Sequence, residues 1–182
     1  MSRRTAIAGA IAVLFCGALG SGTASAGESG CAQAASTADA TTLGQASDSV
    51  LCLVNGERAR RGLGPLRPSR LLDRSARAHS RDMVARQYFS HVTPSGANAR
   101  RRISRSGYLR RGSACTVAET IAWGTEDQGT PAELVRTFMS SPGHRRILLD
   151  RRYRDIGVGL VLGAPVGGMG NGTTLTLDFG RR

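Results

Sequence analysis

The stretch IGVGLVLGAPVGGMGNGTTLTLDF, residues 156–179, contains two strand patterns separated by a glycine-rich connection. In its second half Leu175, Leu177 and Phe179 alternate with polar residues, which predicts a strand over 173–179 with one apolar face. The apolar run 156–162 predicts the other strand, and segment 163–172 is typical of a hairpin-like connection. The stretch therefore predicts a pair of antiparallel strands late in the chain.

The earlier segments follow helical periodicity instead. A first helix is indicated from about Asp48, through Val50 and Val54, and ends at Gly62. A second begins after Ser69 as N-cap, and its spacing of three and four predicts a buried face formed by Leu72, Ala76, His79, Ser80 and Met83. A loop over 88–96 and a short basic helix over 98–106 follow.

The clearest helix start in the chain is Thr130-Pro131-Ala132-Glu133. Thr130 is the predicted N-cap, Pro131 occupies the first helical position, and Glu133 completes a capping box. Segment 141–144 is predicted to break this helix with a turn. Helices early and paired strands late predict an α+β fold, with helices packed on an antiparallel sheet.

The N-terminus has the pattern of an export signal over residues 1–26. A basic segment at Arg3 and Arg4 precedes an apolar run over 6–19, and Ala24-Ser25-Ala26 fits a cleavage site. A membrane anchor is the alternative, but the apolar run is short for a bilayer. We expect a secreted protein with a flexible arm over 27–46, rich in small and polar residues, and a folded domain over 47–182. The export route, general or twin-arginine, stays open.

The chain is strongly basic, with a net charge of +12, and all 25 of its basic residues are arginine. Two dense clusters stand out, one at 100–111 and one at 151–154. Export and an aromatic content of 4% argue against a nucleic-acid partner. Anionic cell-wall polymers or lipid headgroups are the expected counterparts of this charge outside the membrane.

Cys31, Cys52 and Cys115 are the cysteines that follow the signal, and three pairings are open to them. The sequence contains no Gly-x-Ser-x-Gly elbow, no His-Glu-x-x-His pair, no phosphate loop and no Cys-x-x-Cys pair. The candidates for chemistry are therefore three histidines and a few carboxylates.

An ordered set of short motifs runs through the chain: Leu53-Val54-Asn55, Glu57-Arg58, Gly62-Leu63, Pro65-Leu66, His79-Ser80, Asp82-Met83, Tyr88-Phe89-Ser90-His91, Gly107-Tyr108, Glu119-Thr120-Ile121-Ala122, Ser141-Pro142-Gly143-His144-Arg145, Ile156-Gly157-Val158-Gly159 and Asp178-Phe179-Gly180. Together they resemble the CAP superfamily, which comprises cysteine-rich secretory proteins, antigen 5, pathogenesis-related-1 proteins and their bacterial SCP-domain relatives. The resemblance covers roughly residues 48–180 and is greatest to secreted actinobacterial-type proteins.

The resemblance implies a three-layer α-β-α sandwich with a central antiparallel sheet and a cleft, and it favours a Cys31–Cys52 disulfide. In animal and plant members the cleft gathers two His and two Glu that can hold a divalent metal. His91 and Glu119 match one of each, the second Glu falls near Ser141, and His144 is placed where it could serve as the second His. The implied metal site is His91, Glu119 and His144.

Three such ligands with an open fourth position suit zinc or another divalent metal. The alternative is a hydrogen-bonded cluster that ties loops to the sheet. His79 lies on an apolar helix face and is predicted to be a core histidine, while Asp178 could orient a cleft histidine or pair with an arginine. No nucleophile or second general base is evident, so no catalytic residue is assigned.

Three functions are compatible with these observations. The leading one is a secreted CAP-domain protein whose His- and Glu-lined cleft binds a ligand, lipid or peptide, with divalent-metal binding as an added property. The second is a zinc-dependent hydrolase that uses His91, Glu119 and His144. The third is a cell-wall-associated interaction module that depends on the arginine clusters.

Overall fold

The computed structural model describes residues 31–109, 115–167 and 171–182. The predicted signal at 1–26 and the first residues of the arm lie outside the described residues. The elements, in chain order, are α1 Leu43–Ala59, β1 Arg67–Pro68, α2 Arg70–Arg86, α3 Ala99–Arg105, β2 Thr116–Thr125, α4 Pro131–Ser140, α5 Pro142–Leu148, β3 Asp155–Leu162 and β4 Gly172–Arg181. A 3₁₀ turn, Glu126–Gly129, joins β2 to α4.

The sheet has the strand order β1-β3-β4-β2. Strands β2, β3 and β4 are antiparallel, and the two residues of β1 add a parallel pairing to the start of β3. Ile156 faces Phe179 and Leu162 faces Thr173, so the predicted hairpin of β3 and β4 is confirmed. The predicted central antiparallel sheet is therefore present.

Strand β2 is a ten-residue element that the sequence patterns did not predict. It pairs with β4 over its whole length, from Thr116 opposite Arg181 to Thr125 opposite Gly172. Its central residues, 119–122, are buried on both faces, so the polar and apolar alternation of a half-exposed strand is missing. A buried carboxylate at Glu119 further disguises the strand.

One face of the sheet packs against α1, α4 and α5 through apolar side chains. Leu175, Leu177 and Phe179 point to this side and are fully buried. They join a single core cluster with helix residues that include Val50, Val54, Leu134, Val135, Phe138 and Leu148. The predicted alternation of β4 thus supplies the main core of the protein.

The other face of the sheet packs against α2, which approaches the strands closely. A side chain at Gly157 or Gly159 would lie within 2.2 Å of the α2 backbone, so only glycine permits this contact. The Ser80 hydroxyl donates to the Gly159 carbonyl at 2.6 Å and lies 2.8 Å from the Thr176 hydroxyl. Helices on both faces complete the three-layer α-β-α sandwich.

The predicted start of α4 is confirmed with two differences in detail, whereas the Ser69 hydroxyl, at the N-cap position of α2, makes no capping hydrogen bond. Thr130 caps α4 by accepting from the Glu133 amide at 3.4 Å, but the Glu133 carboxylate pairs with Arg136 and does not complete the capping box. The predicted turn at 141–144 is instead the first turn of α5, which begins at Pro142 directly after α4. Proline at the first helical position permits this immediate restart.

Residues 31–46 are held to the domain, which contradicts the flexible arm predicted over 27–46 for this part. Helix α1 begins at Leu43, not near Asp48, because Asp39 and Thr42 exchange backbone-to-side-chain hydrogen bonds of 2.9 and 2.8 Å just before it. The Cys31–Cys52 disulfide joins the segment to α1, as the resemblance implied. The Ala34 carbonyl also accepts from the Ala132 amide at 2.8 Å.

In the part of the chain that the structure describes, no helix combines the length and apolar character that crossing a membrane requires.

Candidate functional site

Glu119 is the centre of a buried polar cluster on the α2 side of the sheet. Its side chain is only 2% exposed. One carboxylate oxygen, Oε1, lies 2.8 Å from His91 Nδ1, and the other, Oε2, accepts from the Arg102 guanidinium. Both oxygens are thus occupied by positively polarised groups.

The loop after α2 carries His91 to this position. Gln87 ends α2 in the left-handed conformation, with a φ of 53°, and turns the chain back. His79 Nε2, on the inner face of α2, donates to the Ser90 carbonyl at 3.0 Å and fixes the loop. The predicted loop over 88–96 therefore has a defined course at its site residue.

Arg102 braces the same loop from α3. Its guanidinium donates to the His91 carbonyl at 2.9 Å and to the Ala97 carbonyl at 2.7 Å, in addition to pairing with Glu119. The side chain is 9% exposed. The sequence pattern placed Arg102 among surface charges, whereas it is the internal counter-ion of the site.

The charges of the cluster fix the protonation of its carboxylates. Burial raises the pKa of Glu119, but the His91 hydrogen bond and the Arg102 charge outweigh burial, and the resulting pKa is lowered. An ionised Glu119 can only accept, so the His91 Nδ1–H donates to it. Burial and the negative charge of Glu119 raise the pKa of Asp178, its cross-strand neighbour, well above the usual range.

Asp178 is fully buried, and Ser75 on α2 and Glu119 on β2 are the polar neighbours of its carboxyl group. A salt bridge between Asp178 and an arginine was one of the two roles expected from the sequence, and Asp178 forms none with the described residues. A carboxylate in this position is costly to ionise. The pKa of Asp178 is thus raised and that of Glu119 lowered, so Glu119 is the stronger acid of the pair.

His79 is the predicted core histidine and is 1% exposed, which confirms that prediction. Its Nε2 also lies 3.9 Å from Glu119 Oε1, so it belongs to the cluster. Burial lowers the pKa of His79, and the Glu119 charge opposes that effect. His79 is thus neutral at pH 7 and positions the loop through Ser90.

His144 approaches from the opposite layer, where α5 begins. Its ring meets the edge of Phe138 with centroids 5.3 Å apart, and its buried Nδ1 has no hydrogen bond to the described residues. Burial lowers the pKa of His144, and the neighbouring His91 adds to that effect. His144 therefore lies near His91, but it forms no ion pair with Glu119.

The implied metal ligands do not fit a metal as they are arranged. Within residues 31–109, 115–167 and 171–182, no three His, Cys, Asp or Glu side chains form a group that could hold a metal ion. Glu119 is already bound by His91 and by the cationic Arg102, which would repel a divalent ion at the same carboxylate. The residue at the second family Glu position, Ser141, supplies no carboxylate.

The exterior of the cluster is a small apolar surface around His91. The His91 side chain is half exposed, and its Nε2 makes no hydrogen bond to the described residues. Phe89 and Val92, on the same loop, are 41% and 46% exposed. An oriented imidazole between two exposed apolar side chains is suited to contacting a ligand with both polar and apolar parts.

Comparison with known proteins agrees with this architecture. The model of the cysteine-rich secretory protein family (CAP) matches residues 51–179. The YkwD protein of Bacillus subtilis (strain 168) is 38% identical over 112 residues, which cover 62% of this chain and 41% of YkwD. The membrane protein YlbC of the same bacterium is 33% identical over 111 residues, covering 61% of this chain and 30% of YlbC. The chain thus matches less than half the length of either relative.

Two solved structures share the fold at low sequence identity. An extracellular protein with an SCP domain from Bacillus anthracis str. Ames has a TM-score of 0.63 and 23% identity, and the match covers 80% of this chain and 44% of that protein. An outer surface protein of Borrelia burgdorferi has a TM-score of 0.59 and 18% identity, and the match covers 73% of this chain and 90% of that protein. With a family match over most of the folded part, this chain belongs to the cysteine-rich secretory protein (CAP) family.

Proposed function

We propose that the protein is an extracellular binding protein that holds a peptide at the surface formed by Phe89, His91 and Val92. The observation that carries the proposal is the 2.8 Å hydrogen bond from His91 to the buried Glu119. It fixes the imidazole and leaves Nε2 to bond a peptide carbonyl or amide. The two exposed apolar side chains then contact a side chain of the ligand.

The chemistry of the cluster favours a peptide over a lipid. A lipid tail requires an enclosed apolar cavity, whereas Phe89 and Val92 are exposed side chains on the loop that carries His91. A peptide offers backbone polar groups for the imidazole and needs only limited apolar area. The predicted lipid ligand is therefore the competing outcome of the test.

Extracellular placement has three supports. The predicted signal over 1–26 directs export, the Cys31–Cys52 disulfide is typical of oxidising compartments, and a structural neighbour is an extracellular protein. Accessible peptides of the surrounding surface are the expected ligands. The predicted association with the cell wall depends on the arginine clusters and is independent of the peptide-binding surface.

The test is selection of a displayed random peptide library on the purified protein, with His91→Ala and Phe89→Ser as site variants. Leu162→Ser is the matched control, because Leu162 is 39% exposed at the end of β3 and outside the loop. We expect peptides enriched on the wild type to lose about tenfold in affinity on either site variant, and to keep it on the control. Equal binding to all variants, or a co-purified lipid with no enriched peptide, would overturn the proposal.

Metal binding and zinc-dependent hydrolysis stay predictions, and the proposed function includes no step through a metal because the donor set does not fit one. Calorimetric titration of the folded protein with zinc at neutral pH tests this directly. We expect no binding heat above the heat of dilution. Stoichiometric binding that His91→Ala or Glu119→Gln removes would reinstate the metal site.

A further inference from the structure

The outer face of α2 carries a row of four arginines, Arg70, Arg74, Arg77 and Arg81. In an α-helix the spacing of four, three and four residues places them within an arc of about 60°, at intervals of about 4.5 to 6 Å along the axis. All four are exposed, and the opposite face of α2 holds the buried His79 and Ser75. The row is therefore a straight array that points away from the sheet.

None of these four guanidinium groups has a salt bridge or hydrogen bond within the part of the chain that the structure describes. Burial raises the pKa of Asp73, and the charge of the nearby Arg77 opposes that effect. Its carboxylate is already committed to the Val158 amide at 2.9 Å. An open trough of about 470 Å³ follows the row, lined by Arg70, Asp73, Arg74, Arg77, Ala78 and Arg81.

The arginine clusters that the sequence made prominent are partly used inside the protein. Arg102 pairs with Glu119, Arg152 pairs with Asp150, and Arg100 reaches toward the Cys115 carbonyl oxygen at 3.5 Å. The α2 row is regular and has none of these engagements. It is therefore a regular array of arginines on which an external anion would displace no internal partner among the described residues.

We propose that the α2 row binds an extended poly(glycerol phosphate) chain laid along the helix axis. Each guanidinium can hold one phosphate through two N–H donors. A single row one helix wide matches a linear polymer, whereas a planar membrane surface would require cations spread in two dimensions. The surface lies on the opposite side of α2 from the Glu119 cluster, so it is independent of the proposed peptide site.

The first experiment measures binding of poly(glycerol phosphate) to the full folded chain at about 50 and 200 mM salt. Arg74→Gln with Arg77→Gln is the test variant, and Arg146→Gln with Arg151→Gln removes the same charge from exposed positions in or near α5. We expect the test variant to lose about tenfold in affinity, with a salt slope shallower by about 0.7 for each lost arginine. The control should change less than about twofold.

A second variant keeps the net charge and breaks the row. Arg77→Ala with Thr137→Arg moves one guanidinium from the row to an exposed position of α4, on the other face of the sheet. We expect affinity for the polymer to fall at least threefold, by about the value of one contact. Thermal unfolding confirms that each variant is folded. Unchanged affinity of the charge-preserving variant, equal losses in test and control, or stronger binding to vesicles of anionic lipid than to the polymer would each overturn the proposal.

Discussion

The two faces of the central sheet are built from the same strands but have opposite chemistry. On strand β4, Leu175, Leu177 and Phe179 point toward α1 and α4, while Thr176 and Asp178 point toward α2. The first face is an apolar core in which Thr120 is a buried hydroxyl. The second places hydroxyls, carboxylates and an imidazole between helix and sheet.

The difference indicates how the protein separates stability from function. Apolar burial on the α1–α4 face drives folding, and each buried side chain contributes without requiring a partner. The α2 face buries polar side chains that include Ser75, His79, Glu119 and Asp178, and His79 Nδ1 has no hydrogen bond to the described residues. Burying such groups costs stability, and the apolar face compensates for that cost.

The largest effect is expected from a cavity on the apolar face. Leu177→Ala removes a fully buried side chain from the core cluster and should destabilise the protein by about 2 to 5 kcal/mol. Urea unfolding at neutral pH measures the loss. Leu162→Ala, at a position 39% exposed, is the control and should cost far less. A loss below about 1 kcal/mol for Leu177→Ala would mean that the two faces do not divide as described.

The disulfide makes the next largest contribution to stability, and it supports the same face. Cys31 and Cys52 are 21 residues apart, and closing such a loop stabilises by about 3 kcal/mol through the unfolded chain. The double variant Cys31→Ser with Cys52→Ser should lose this amount in denaturant unfolding. Reductant should shift the midpoint of the wild type and leave that of the double variant unchanged. If reductant also shifts the unfolding midpoint of the double variant, the shift arises from Cys115 and not from the Cys31–Cys52 disulfide.

The sequence predicted the elements whose signals are local. The alternation of β4, the Thr130 cap and the inner face of α2 each appear within one segment, and each is found in the structure. Strand β2 was missed because its centre is buried on both faces and contains a carboxylate. The start of α1 was missed because the Asp39–Thr42 hydrogen bonds lie in a segment without apolar period.

The candidate site required information from distant segments. That His91 and Glu119 matter was implied by family resemblance, and their contact depends on how the loop after α2 meets β2. Arg102 belongs to a run of arginines that the sequence predicts to be exposed, although it lies beside the buried Ile103, which marks the inner edge of α3. The partner of a charged residue is a tertiary property, so composition and periodicity could not identify this ion pair.

A pH experiment tests the polar face. Burial and the Glu119 charge raise the pKa of Asp178, so folding takes up a proton wherever the unfolded chain is ionised. The contribution of this proton uptake to the free energy of unfolding is fully present below the unfolded pKa of about 3.9. As pH rises above that value the contribution is lost, by at most about 1.4 kcal/mol per pH unit. The Asp178→Asn variant takes up no proton at this position on folding. The difference in unfolding free energy between this variant and the wild type should therefore increase in favour of the variant as pH rises above about 4.

Thermal unfolding across this pH range gives the comparison, with Asp48→Asn as the control on an exposed position of α1. The control should parallel the wild-type curve. If Asp178→Asn also ran parallel to the wild type, Asp178 would be ionised in the folded protein. The polar face would then hold two charged carboxylates beside one arginine.

The smallest effects come from one substitution made on both faces. Thr120 is fully buried on the apolar side, opposite Leu177, and its hydroxyl has no hydrogen bond to the described residues. Thr120→Val removes that hydroxyl and should stabilise the protein by about 0.5 to 1 kcal/mol. Thr176→Val, on the α2 side, takes a partner from Ser80 and should destabilise by about 1 kcal/mol. Denaturant unfolding of both variants measures the two signs. If both substitutions change the free energy of unfolding in the same direction, the nearest neighbour and not the face of the sheet decides the cost of a buried hydroxyl.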